Sequence, residues 1–544
     1  MRFSMQLARI TTITLAFAAS SAVAQSLAKS PGQLAWAIKY DPKTFDPAKA
    51  DEQVSATVRF LTGGVLLRIN RPTQQPEPEL AESLSISSDG HLVTFHLRPN
   101  LRFSDGSALT SRDVAATIRR TLNPATAAPV ADEFIAPAKV TVDTPDRLTV
   151  RVHLPERVLS IAGVFDEIAI EPAQHFGDAR ITSGAFTLAD YRPGQFVLLN
   201  RNPNYFKRDA QGRQLPYANS IRLDVLANRE QEAARFERGE YDLMDSLAPE
   251  YFNLLARKSP KAVHDLGPAL NTEQLWFNQS PSSPLPAYEK QWYQSQAFRA
   301  AVSQAIHRSD LARIAYAGHA TPAYSFLSPA NKQWYNTHLR FPQEDLAAAA
   351  RLLAAAGFRK NGNQLVDSSG HAVKFSILTN AGNRARQQMA ILIQQDLSAL
   401  GIQVNVVTLD FPALIERLMH TQDYEACLLG LSNVDPDPNA MMNLWQSSSA
   451  NHQWNPSERA PATPWEARID QDMQTQATAV RFVDRKKAID DVQQIVADQQ
   501  PFIYLVYPNA LYAVSPALSG VEPTVYQPGL IWNIAAVHPA GGTR

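Results

Sequence analysis

A chain of 544 residues with a single cysteine, Cys427, cannot close an internal disulfide, so buried apolar surface must hold it together. It is long enough for that. Single cores stop growing near roughly 250–300 residues, which predicts two large lobes or three smaller domains. Charge of one sign is also missing: 51 Lys and Arg face 52 Asp and Glu, a net of −1. Such balance offers no electrostatic footprint for nucleic acid or an anionic membrane. Low-complexity tracts and short-period repeats are missing too, and a composition of 45% hydrophobic and 19% charged residues is that of a folded, soluble protein.

Catalytic signatures are equally scarce. The chain has no G-x-S-x-G elbow, no H-E-x-x-H, no phosphate-binding G-x-x-x-x-G-K-[ST] and no C-x-x-C. Its 12 histidines show no ligand spacing. "DPDPN" (Asp435, Asp437, Asn439) opens like a calcium loop but has Ala440 where the glycine is required and Gln446 where the terminal glutamate belongs. It reads as a proline-rich acidic loop, and no metal or cofactor is expected. Cys427 lies inside the apolar run "YEACLLGL", where a free thiol behaves as a small buried hydrophobe.

What is present begins at the N-terminus. Arg2 and Arg9, the apolar "ITTITLAFAA" (Ile10 to Ala19) and the small residues "AVA" (Ala22 to Ala24) make a secretory signal peptide over residues 1–24, too short in its apolar core to span a bilayer. Its removal takes the net charge from −1 to −3, since it carries only Arg2 and Arg9. Cys427 is far from the cleavage point, so no lipid anchor is expected and the mature protein should be free and soluble outside the cytoplasm.

Between Val373 and Asn439 strand-like and helical patterns alternate: "VKFSIL", then "RARQQMAILIQQDLSALG" with Met389, Leu392, Ile393, Leu397 and Leu400 on one face, then "IQVNVVTL", "FPALIERLMH" and "YEACLLGL". This β-α-β-α-β order predicts a parallel sheet with helices on its faces. A second unit, "IRLDVLA", "REQEAARFERG", "YDLMDSL" (Ile221 to Leu247), is read the same way. Two α/β units in a chain of this length suggest a ligand cleft between two lobes.

Ligands of open α/β sheets bind beyond the carboxyl ends of the strands. The loops that follow Thr379, Leu409 and Leu431 bring Arg386, Phe411, Ser432, Asp435 and Asp437 to one rim, a plausible pocket lining. Trp276 and Asn278 in "LWFNQS" are candidates at the crossover between lobes. By contrast, "FHLRPNLRFSDGSALTSRDVAATIRR" (Phe95 to Arg120) reads as scaffold. Val93, Phe95 and Leu97 alternate as a buried strand face, Asp105-Gly106 is a turn, and Thr110 with Asp113 caps a helix burying Val114, Ile118 and Leu122.

The same stretch, with "TFDPAKA", "SGAFTLADYRPGQFVLLNRNPNY", "FRAAVSQAIHRSDL", "LLAAAGF" and "LSALGIQVNV", resembles the periplasmic dipeptide- and oligopeptide-binding proteins, solute-binding family 5 of ABC importers. The resemblance implies a two-lobed periplasmic-binding-protein fold with an extra subdomain: lobe I over residues 25–270, lobe II over 271–505, and a return to lobe I over 506–544. Chain crossings are expected near Ala269 to Trp276 and Ile503 to Asn509. It also implies a monomer that performs no catalysis, binds a peptide-like solute and delivers it to a permease and ATPase at the inner membrane. Arg386 and Phe411 align with pocket-lining positions of peptide-binding members. The aspartate that clamps a peptide's ammonium group there is replaced by Val434, and Leu431 stands where tryptophan is common. Either Asp435 or Asp437 takes over that role, or the solute is not a free-amine peptide but a sugar or metal chelate. A sensor role and a secreted hydrolase using Asp435 and Asp437 are the remaining readings.

Overall fold

The computed structural model describes residues 29–134, 136–158, 160–431, 435–479 and 481–541. The expected signal peptide, Ser432 and Val434 lie outside these residues. The architecture is α/β and two-lobed. The second lobe is built on strands Lys374–Asn380, Gln403–Leu409 and Ala426–Leu431, with the first paired parallel to both others. Helix Arg384–Ser398 presents Met389, Ile393 and Leu397 at helical spacing to the core, where all three are fully buried. Gly401 then turns the chain at φ +83°, so close to the neighbouring backbone that a Cβ there would lie 2.8 Å from the Leu365 nitrogen.

Antiparallel to Ala426–Leu431 runs Thr272–Phe277, buried along its length, and beside it the 13-residue strand Phe502–Val514. This long strand changes partner halfway. Phe502 to Val506 pair with Trp276 to Glu273, whereas Asn509 to Ala513 pair with Pro268 to Val263 in the first lobe. The Ala269 nitrogen donates to the Pro508 carbonyl at 2.8 Å between these two pairings.

In the first lobe, Gln33–Ile38 lies parallel to Ser220–Val225, and the sheet continues through Phe196–Arg201 and Phe186–Arg192. Its apolar face is covered partly by the chain's end, through Leu530, Ile531, Ile534 and Val537. A second four-stranded sheet, Ala81–Ile86, Leu92–Leu97, Thr149–His153 and Thr141–Asp143, has its own core with helix Ser111–Leu122. Val93, Phe95 and Leu97 are buried, and the Asp113 carboxylate accepts from both the nitrogen and the hydroxyl of Thr110 at 2.9 Å.

One expectation needs correcting. "YDLMDSL" does not run parallel beside Ser220–Val225; only Leu243–Met244 form a strand, antiparallel to Phe502–Val514. Asp242 joins this segment to strand Gln33–Ile38 instead. Its carboxylate accepts from the Ala35 nitrogen at 2.8 Å and pairs with Lys29 at 2.6 Å, and Ser246 at φ +49° ends the extended run.

Candidate functional site

The loop after Lys374–Asn380 closes through Asn383, whose side chain accepts from the Arg386 nitrogen at 3.0 Å and caps helix Arg384–Ser398. It faces helix Pro249–Lys258 of the first lobe across a cavity of about 980 Å³. Tyr251, Leu254 and Arg257 line one wall, and Asn380, Ala381 and Asn383 the other. The size and mixed lining suit a small organic solute.

Arg386 does not offer its guanidinium to this space. Nε and Nη2 grip the Glu273 carboxylate at 2.8 and 3.1 Å, and Nη1 donates to Asn380 Oδ1 at 2.8 Å. Tyr316 donates to the same carboxylate at 3.2 Å, and burial pushes its hydroxyl well above the usual range. Trp276 is 1% exposed and donates through Nε1 to the Tyr424 hydroxyl at 3.2 Å. The Asn278 amide donates to the carbonyls of Gln422 and Tyr424 at 2.8 and 3.0 Å. Both side chains serve the packing of the second lobe. Phe411, 55% exposed, opens a short helix capped by Asp410. Cys427 is fully buried, which raises its thiol well above the usual range.

The acidic loop divides into two unlike carboxylates. Asp437 pairs with Arg485 at 2.6 Å and accepts from the Asn439 nitrogen at 2.9 Å, as the cap of the turn Pro438–Met441. Asp435 accepts the Asp437 nitrogen at 2.8 Å and, among the described residues, has no cationic side chain within ion-pair distance. Glu133, at the end of the turn Pro129–Glu133 in the first lobe, is in the same position. Both side chains are exposed. Crowding by protein atoms, then the charges of Glu167, Asp435 and Asp437, push Glu133 up to about 7. Desolvation is also the main cause for Asp435, pushed up to about 6 against the opposing bond from the Asp437 nitrogen. Arg71 lies within electrostatic reach of Asp435 but is paired with Asp166 at 2.6 Å. The lobes touch nearby, where the Tyr526 hydroxyl donates to the Ala330 carbonyl at 2.8 Å.

Of the residues singled out from sequence, the structure leaves Phe411 and Asp435 accessible and gives Arg386, Trp276, Asn278 and Asp437 partners within the protein. Glu133 was missed. It sits in "PVADE", which carries no spacing signal, and comes within electrostatic reach of Asp435 only through the tertiary fold.

The description "Bacterial extracellular solute-binding proteins, family 5 Middle" matches residues 75–453. A "Probable ABC transporter-binding protein" of Deinococcus radiodurans is 24% identical over 531 residues, covering 88% of this chain and 87% of the relative. Oligopeptide-binding protein AppA of Bacillus subtilis is 24% identical over 376 residues, 68% of this chain and 64% of its own. Among solved structures, NikA from Brucella suis in complex with Fe(III)-EDTA superposes with a TM-score of 0.77 at 17% identity, covering 93% of this chain and 100% of that one.

Proposed function

Because the chain belongs to the bacterial extracellular solute-binding proteins of family 5, we propose that it closes its two lobes on a peptide-like solute with a cationic amine and delivers it to an ABC permease and ATPase. It is a binding protein and not an enzyme. The observation that carries the solute class is the pair Glu133 and Asp435, the one within electrostatic reach of the other and, among the described residues, neither with an ion-pair partner. An ammonium group between them would relieve their repulsion and tie the lobes together. In this reading Asp435 takes over from the aspartate replaced by Val434, because Asp437 is held by Arg485.

The cavity between Tyr251 and Asn383 would take the rest of the solute. Arg386 acts through Glu273 by positioning the loop, and Trp276 and Asn278 are scaffold. The segments joined by Ala269 and Pro508 form the hinge between lobe I, over residues 25–270 and 506–544, and lobe II, over 271–505. Residues 1–24 are removed on export, leaving an unanchored periplasmic monomer.

Native mass spectrometry of protein purified without denaturation tests this reading. The expected result is a retained solute containing amide bonds and an amine. A retained sugar or metal chelate would overturn the peptide assignment.

A further inference from the structure

Away from the cleft, in the second lobe, three side chains converge from one short piece of chain. His452 and Glu458 lie on the loop 446–463, and Glu466 in the first turn of helix Pro464–Thr478, where Thr463 is the cap. The imidazole is 1% exposed and Glu466 is 3% exposed. One Nε2 and two carboxylate oxygens lie within 4.8 Å of one another.

The imidazole's protonation is set by its other nitrogen. Nδ1 faces the Leu444 carbonyl at 3.2 Å, and a carbonyl can only accept, so Nδ1 carries the hydrogen. In the neutral ring Nε2 then holds a lone pair. That atom is buried without a hydrogen-bond partner and points at Oε1 of Glu458 and of Glu466, 3.6 and 3.7 Å away. These separations are too long for hydrogen bonds. They are close to the roughly 3.3–3.5 Å between ligand atoms that share a tetrahedral ion at about 2.0–2.1 Å.

The carboxylates are also held as metal ligands usually are, by an outer ring of donors. Glu466 accepts from Trp454 Nε1 at 2.9 Å and, through its other oxygen, from the Thr463 hydroxyl at 2.7 Å. Glu458 accepts from the Asn455 amide and from the Ala462 nitrogen, both at 2.7 Å. The lone-pair nitrogen and the two carboxyl groups face one another with their ligand atoms oriented inward.

We propose that His452, Glu458 and Glu466 form a three-ligand site for a divalent transition-metal ion of the zinc class, its fourth position left to water, which fastens the loop 446–463 to helix Pro464–Thr478. One imidazole and two carboxylates match that class, whereas calcium and magnesium favour all-oxygen shells of higher coordination number. The sequence spacing, His-x5-Glu-x7-Glu, fits no familiar motif, and only the fold of the loop brings the three together. The site is independent of the solute-binding reading and stands or falls separately from it.

The test is zinc titration of the chelator-stripped, full-length mature protein, with metal content measured after gel filtration. The expected result is one tightly held zinc per chain and a higher melting temperature. Glu458→Gln and His452→Asn should each weaken binding by more than the roughly 10–100-fold lost with an outer-shell partner. Cobalt in the wild-type protein should give the visible absorption of a tetrahedral N/O site, a readout that needs no variant to fold. Absence of stoichiometric zinc would overturn the proposal, as would zinc binding unchanged in both folded variants. A His452 ring that NMR finds doubly protonated at neutral pH with zinc present would also overturn it, leaving a buried ion triad.

Discussion

The guanidinium of Arg386 meets the carboxylate of Glu273 at two points, Nε at 2.8 Å from Oε2 and Nη2 at 3.1 Å from Oε1. The pair ties helix Arg384–Ser398 to strand Thr272–Phe277 just beneath the cavity rim. Neither group is well solvated. Removing one partner leaves the other charge uncompensated, so Glu273→Gln should destabilise the protein by about 3 kcal/mol in urea unfolding. Replacing both by apolar residues of similar size should recover most of that loss.

Gly430 makes room for this pair. A Cβ at that position would lie 2.4 Å from Arg386 Nη2 and 2.8 Å from Glu273 Oε1. Gly430→Ala should therefore displace the guanidinium. Its cost should be non-additive with Glu273→Gln in a double-mutant cycle, because both changes break one interaction.

The cleft carboxylates predict a pH dependence of definite sign. Glu133 and Asp435 have pKa values raised to about 7 and about 6 in the folded protein. The folded state therefore binds more protons than the unfolded chain between roughly pH 4 and 7. Stability of the solute-free protein should be fully present below that window and decline as pH rises through it. Asp435→Asn should flatten the decline in denaturation curves taken at pH 4, 5.5 and 7. Affinity for a cationic solute should run the other way and strengthen towards pH 8.

Asp113 offers a contrasting control. Its carboxylate caps helix Ser111–Leu122 by accepting from Thr110. Asp113→Ala should cost about 1 kcal/mol of stability, and solute affinity, measured by calorimetry, should not change.

Much of the second lobe was legible because its strands and helices alternate with unbroken apolar periodicity, from Phe375 through Met389 and Ile393 to Val404. The two-residue strand Leu243–Met244 was misread because a local pattern cannot show that Asp242 is held by Ala35 and Lys29. The candidate site was legible in part. Strand ends point Phe411 and Asp435 to a rim and the structure leaves both exposed, but nothing in sequence revealed that Arg386 has Glu273 and Asp437 has Arg485. Glu133 and the trio around His452 depend on tertiary and loop geometry that composition and spacing do not carry.

The central claim, that Glu133 and Asp435 clamp a solute's ammonium group, is tested most directly by calorimetric titration of solute-free protein with paired peptides, free and N-acetylated. Free-amine peptides should bind. Acetylation should weaken them by roughly two- to fivefold, the equivalent of up to about 1 kcal/mol for an exposed ion pair, and Asp435→Asn should erase most of the difference. Equal binding of acetylated and free peptides would contradict the account.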